Sequence, residues 1–248
     1  MNKVANITHN EGFTEFERRG RLVAPYFNHR LRYDKDIIPP PVVHEFLGHP
    51  NSGKSTIADA LDKFWKRLQF RTYAPQEGAD AIRYLPRDTY FYNISTGLYA
   101  FDILMRVTEG HQYDFTFFDR CVFDTYTWMK YWHKKGQITK DMMQKLQDSF
   151  LVGASRVDFA CIVYCEPNIA MERDRKHGTT SREGKTANVD TIKFLIDCNL
   201  ESFEELNKHF PQLTVFDTSE LGEAEMVQHI TDLSIAAVER RVLARERI

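Results

Sequence analysis

Residues 48 to 55 read Gly48-His49-Pro50-Asn51-Ser52-Gly53-Lys54-Ser55, a match to G-x-x-x-x-G-K-[ST]. No other stretch restricts the fold so tightly. The segment directly follows the apolar run VVHEFL (42–47). It directly precedes STIADALDKFWKRL (55–68), whose Ile57, Ala58, Leu61, Phe64, Trp65 and Leu68 fall on one helical face. A strand, a glycine-bounded loop and a helix in that order make a phosphate cradle. The glycines let the backbone wrap so that successive N–H groups point inward, and the helix start adds its positive end. In that arrangement Lys54 reaches the outer phosphates of a nucleotide and the Ser55 hydroxyl ligates Mg²⁺. Thr56 is placed to meet the innermost phosphate. The alternative is a plain Gly-rich turn with an exposed lysine.

The rest of the chain alternates. FRTYA (70–74), FTFF (115–118), DFACIVYC (158–165) and LTVFD (213–217) read as strands. Residues 94–108, 121–134, 138–152, 189–208 and 222–246 read as helices, and Pro167 opens a further one. Alternation of this kind predicts an α/β fold in three layers, a parallel sheet with helices on both faces. Residues 1–41 differ. They mix charge with scattered aromatics, sustain no helical or strand period, and end in Pro39-Pro40-Pro41, a stiff spacer. They form an N-terminal extension to a domain spanning 42–248. Whether the extension packs on the core, packs on a partner or stays a partly ordered arm is left open by its residues.

Thirty-three basic against 35 acidic side chains give a net charge of −2, so nothing draws the whole chain to nucleic acid or an anionic membrane. No stretch approaches the ~18 apolar residues of a membrane span, and the first twenty residues show no secretory signal. Cys121, Cys161, Cys165 and Cys198 are too few for a disulfide scaffold and lack metal-site spacing, which fits buried thiols in a reducing cytoplasm.

Three features bear on what receives the phosphate. Asp119-Arg120 ends the buried strand FTFF, where strand carboxyl ends line the ligand crevice. Asp119 is there a candidate for Mg²⁺ and Arg120 a permanent charged fork for phosphate or carboxylate. The plain alternative is a helix-starting Asp beside a surface Arg. Glu77, in Pro75-Gln76-Glu77-Gly78, is placed to take a proton from an attacking hydroxyl, or merely to hold an arginine or a sugar. Arg83 is a candidate ligand for an acceptor phosphate. The stretch 168–186 holds Arg173, Arg175, Lys176, His177, Arg182 and Lys185 with Gly178 and Gly184. A lid of this composition can close over a triphosphate and exclude water; otherwise it is a solvated face. Aromatics at 90–101 and 123–132 offer one or two rings for a base, the remainder serving as core. Asn93 reads as a turn residue with the option of a base edge.

Taken together, GHPNSGKST, QEG-x₄-R after the second strand, FFDR, YCEPNIAMERDRKHG…R and VFDTS resemble the thymidylate kinase and deoxyribonucleoside kinase superfamily over residues 42–235. The resemblance implies the P-loop NTPase fold of nucleotide-kinase type, with ATP and Mg²⁺ as cofactors. It implies a nucleoside or nucleoside monophosphate as acceptor. Asp119-Arg120 would be the family's acidic-Arg pair, and Arg173, Arg175 and Arg182 its lid. The VFDTS loop would lie against adenine, and a homodimer is common among such kinases. The chain departs in having Gln76 and Gly78 around Glu77, and Asp119-Arg120-Cys121 where deoxyribonucleoside kinases carry Glu-Arg-Ser. The competing expectation is a nucleotide-dependent switch or regulatory ATPase acting through a protein partner. A kinase of nucleic-acid ends is disfavoured, since no basic groove with interleaved aromatics is visible.

Overall fold

The computed structural model describes residues 14–25, 27, 41–110, 112–177 and 188–246. Five strands, β1 (Val42–Leu47), β2 (Thr72–Tyr73), β3 (Phe115–Asp119), β4 (Phe159–Tyr164) and β5 (Leu213–Asp217), form one sheet in the order β2-β3-β1-β4-β5. Every pairing is parallel. The central β1 is buried along its whole length, which is why VVHEFL is apolar on both sides rather than alternating.

The pleat sends alternate residues to two cores. Val42 and Phe46 of β1, Phe115 and Phe117 of β3, and Phe159 and Val163 of β4 pack with helices α2 (Lys54–Arg67) and α9 (Glu223–Glu246). Val43, Leu47, Phe118 and Ile162 face the other way, onto α4 (Tyr90–Gly110), α5 (Val122–Lys134) and α8 (Val189–Leu206). The three-layer parallel architecture is therefore as the alternation predicts. Helices α3 (Gly78–Ala81), α6 (Lys140–Leu151) and α7 (Pro167–His177) and a 3-10 turn (Ala154–Arg156) are also described. All four cysteines are free and buried.

Two local expectations are corrected. The second strand is two residues long, not five. The Arg71 N–H is taken by the Asp114 carboxylate at 2.8 Å rather than by a ladder partner, and Phe70 turns into the core against Trp65, ring centres 5.3 Å apart. The extension, read as lacking helical period, carries a helix α1 (Glu15–Leu22). Eight residues are too few to show a period, but the ends are signalled. Thr14 and Glu17 form a reciprocal capping box, with bonds of 3.2 and 2.8 Å. This helix docks on the chain's own core. Arg19 donates to Glu239 at 3.0 and 2.8 Å and also pairs with Asp232, both on α9. Gly20 lies so close to Leu68 that a Cβ there would come within 2.4 Å of it. Phe27 adds edge contact to Phe70 at 5.3 Å.

Candidate functional site

The loop after β1 is bent by left-handed backbone at three places: Gly48 (φ 134°), Asn51 (φ 62°) and Gly53 (φ 103°). Gly48 also has no room for a side chain, since a Cβ would sit 2.0 Å from the Val163 carbonyl of β4. His49 is fully buried and fastens the loop to the end of β4. Its Nε2 accepts the Cys165 N–H at 3.0 Å, which leaves Nδ1 to donate to the Pro50 carbonyl at 2.7 Å. Burial and the nearby Lys54 charge lower its pKa to about 4, so the ring stays neutral.

Lys54 opens α2 with its ammonium buried and donating to the His49 carbonyl at 2.8 Å. Burial, then the Arg120 charge, pull its pKa down. Ser55, one residue on, donates to Asp119 Oδ2 at 2.6 Å. Asp119 Oδ1 is buried with no partner. Thr56 is exposed in the same turn and does not line the cavity described below. Ser52 is buried inside the loop.

Arg173 reaches this loop, but its fork meets main chain. It donates to the carbonyls of Asn51 and Ser52 at 3.5 and 3.4 Å, and to the Thr218 hydroxyl and carbonyl at 3.0 and 2.8 Å. Asn51 in turn donates to Asp174 at 3.0 Å. Thus α7, the VFDTS segment and the loop are tied together. Arg175 is exposed on α7 and away from the cavity lining. Arg182 and the glycines of the expected lid lie outside the described residues.

The end of β3 supplies the opposite wall. Arg120 adopts φ 72°, a costly conformation for a long side chain, held by its N–H bond to the Phe46 carbonyl at 2.8 Å. That bend aims the guanidinium between two carboxylates: Nε donates to Glu77 at 3.0 Å and an NH1 hydrogen to Asp124 at 2.8 Å. Burial alone would lower the Arg120 pKa, but Asp124, Glu77 and Asp119 outweigh it and keep the group protonated. Burial raises the Glu77 pKa, and Asp119 adds to the rise against the pull of Arg120.

Glu77, Arg120 and Asp124 share one cavity of about 340 Å³ with Pro50, Asn51, Lys54, Ser55 and Asp119. Sequence reasoning placed seven of these, Pro50, Asn51, Lys54, Ser55, Glu77, Asp119 and Arg120, at a phosphate-transfer site, and the fold brings them together. It does not bring Arg83 into the lining, where its partner Asp80, 3.0 Å away, does stand; Arg87 also lines the cavity. Asn93 is no turn residue. It sits inside α4 and accepts from Trp132 Nε1 at 2.8 Å. Of the aromatics, Tyr92 and Trp128 line the cavity.

Besides Arg87, Asp124 and Glu45 were missed. Asp124 was signalled by its spacing four after Arg120 at a helix start. Glu45 was signalled only by being a carboxylate within an apolar strand. It is fully buried and receives the N–H groups of Cys121, Phe123 and Asp124 at 2.9, 3.2 and 2.9 Å, capping α5 directly beside Arg120. Burial raises its pKa to about 8 against those donors.

No family model and no curated protein matches the chain. Solved structures do. It is similar to deoxyadenosine kinase from M. mycoides with bound dCTP, at 15% identity and TM-score 0.53, over 77% of this chain and 97% of that one. It is similar to thymidylate kinase from Candida albicans, at 12% identity and TM-score 0.54, over 80% and 94%. A third match is the NadR protein in complex with NR, at 13% identity and TM-score 0.55, over 81% of this chain but 52% of that chain. The chain has a nucleotide-kinase-like P-loop fold. At such identities the likeness extends to the backbone arrangement, and the chemistry has to be argued from the cavity. Among the described residues, no helix is long and apolar enough to cross a membrane.

Proposed function

We propose that the chain is an ATP-dependent kinase that moves the γ-phosphoryl group to a hydroxyl of a small acceptor, a nucleoside or nucleoside monophosphate. The observation that carries this reading is the continuity of the cavity. The phosphate loop with Lys54 stands at one end and the Glu77–Arg120–Asp124 cluster at the other. A switch needs only the first end. The second end is a built acceptor wall with a carboxylate of raised pKa in it.

In this reading residues 48–56 hold the triphosphate through main-chain N–H groups, and Lys54 turns from the His49 carbonyl to the β- and γ-phosphates. Glu77 receives the proton of the attacking hydroxyl. Arg120 orients Glu77 and offers charge to the group in transit. Arg173 keeps the loop in shape, and Arg175 stays a candidate to reach the nucleotide from α7. The residues present fit Mg²⁺: Ser55 Oγ and Asp119 are oxygen donors, and Asp119 Oδ1 is buried without a partner. Among the described residues no cluster of three or more metal-ligating side chains exists, which suits an ion that binds through one or two protein groups plus phosphate and water. When bound there, Mg²⁺ would neutralise phosphate charge. The reading includes a cytoplasmic enzyme, and a homodimer remains part of it.

The test is a transfer assay with γ-labelled ATP, Mg²⁺ and a panel of nucleosides and monophosphates. Label in an acceptor is the expected result. Inorganic phosphate released equally with and without acceptors would replace the kinase with an ATPase switch.

A further inference from the structure

We infer that Asn93 is the specificity-determining residue of the acceptor end, and that it selects a planar ring presenting a carbonyl oxygen, rather than an amino group, to its Nδ2 hydrogens. The inference rests on the kinase reading above and deepens it. It names the ring edge that the cavity takes, whether or not the acceptor already carries a phosphate.

Asn93 stands inside α4, only 7% exposed, and lines the cavity together with Tyr92 and Thr96. Its oxygen is committed. Trp132 Nε1 donates to Asn93 Oδ1 at 2.8 Å, and an indole nitrogen can only donate, so the amide is held from turning over. Trp132 is buried and is not part of the lining. The carboxamide thus lies between the indole and the open space, with its oxygen on the Trp132 side and its nitrogen on the cavity side. The Nδ2 hydrogens have no partner among the described residues. A buried donor left in that state is costly. The neighbouring hydroxyls are not in it. Tyr92 donates to the Ala79 carbonyl at 3.4 Å, Thr96 to the Asn93 carbonyl at 3.1 Å and Thr125 to the Cys121 carbonyl at 2.7 Å. Their hydrogens are taken by main chain, and those of Asn93 await a ligand.

Trp128, one turn before Trp132 on α5 with ring centres 6.4 Å apart, also lines the cavity. A flat face and a fixed pair of donors therefore bound the same space, which suits an aromatic heterocycle read at its edge. A ring carbonyl accepts from Nδ2. An amino group in its place sets donor against donor. Such a ring can still be held through a neighbouring ring nitrogen after a shift of register, so it is weakened and not excluded.

The test compares kcat/KM for rings that differ at one edge: uracil against cytosine nucleosides and hypoxanthine against adenine nucleosides, each with and without a 5′-phosphate. In any pair that accepts label, the carbonyl member is expected to lead by at least about tenfold. Asn93→Asp keeps one oxygen for the indole and puts a second where the nitrogen stood, so the order within the pair should reverse. Trp132→Phe lets the amide turn over and should narrow the lead to within about threefold, with both members still used. A loss of packing alone would slow both members alike and leave the ratio unchanged. An amino member leading in the wild type, or a ratio that Asn93→Asp leaves unmoved, overturns the inference. Should Trp132→Phe fail to fold, the isosteric Asn93→Asp decides. Where no pair accepts label, calorimetry with a non-hydrolysable ATP analogue ranks the same pairs by Kd. Binding in the expected order then counts against the kinase reading alone. No binding by any pair, or the opposite order, overturns the inference as well.

Discussion

At the Lys54 end of the cavity the geometry is set by the bent main chain and by side chains hydrogen-bonded to it; at the Glu77 end it is set by ion pairs between side chains. His49, Gly48 and the Arg173 fork leave the phosphate loop almost no freedom. Arg120, by contrast, is held by the balance of two carboxylates and one strained torsion. The first kind of construction suits a ligand whose shape never varies, a triphosphate tail. The second can be retuned by moving one charge, which suits the partner that differs between related activities.

Substitutions can break this contrast. Lys54→Ala should lower turnover by about a thousandfold or more while leaving the fold intact, read by single-turnover transfer and circular dichroism. Activity retained would remove the loop from the chemistry. Glu77→Gln should lower kcat by about a hundredfold with little change in nucleotide affinity. Burial raises the Glu77 pKa, so the protonated, inactive form persists above the ordinary glutamate range of about 4.3. The rate constant kcat/KM should therefore rise with pH through that raised value and then level, and Glu77→Gln should abolish the acid limb. A wild-type profile with no acid limb would shift the base to another group.

Arg173→Lys sharpens the contrast at the other end. A lysine cannot span the Asn51, Ser52 and Thr218 acceptors, so nucleotide affinity should fall about tenfold. Calorimetry should show the same loss for ADP and for a non-hydrolysable ATP analogue. A loss confined to the ATP analogue would mean that Arg173 touches the γ-phosphate. The smallest effect is expected at Glu45→Gln. Burial pushes the Glu45 pKa up against its three N–H donors, and glutamine keeps one oxygen for the Cys121 and Asp124 N–H groups. Urea unfolding should show a loss of about 1 kcal/mol, from the remaining bond to Phe123. A much larger loss would mean that the anion caps α5.

What the sequence makes legible follows the same division. VVHEFL and LTVFD are strands from end to end as read, the first a fully buried central strand and the second a partly buried edge strand, both signalled by short β-rich runs. The phosphate loop is legible because its chemistry is local, eight residues that act through their own backbone. The acceptor wall depends on contacts across the chain. Glu77 and Arg120 are 43 residues apart, Glu45 and Asp124 are 79 apart, and no spacing rule reports such pairs. Arg83 misled for a related reason. Its position after β2 suggests a ligand, but Asp80, three residues before it on the same turn, takes its fork. Asn93 misled because a polar residue in an aromatic stretch resembles a break, whereas here it satisfies the buried indole N–H of Trp132.

The clasp between α1 and α9 has a further consequence. It stands on the sheet face that carries α2, opposite the face from which α4 and α5 enclose the cavity. Early and late segments of the chain thus meet at the back of the molecule. An immobilising surface or a fluorescent reporter attached to the outer side of α1 would leave the mouth facing solution, and so turn the protein into a sensor without touching the groups it senses with.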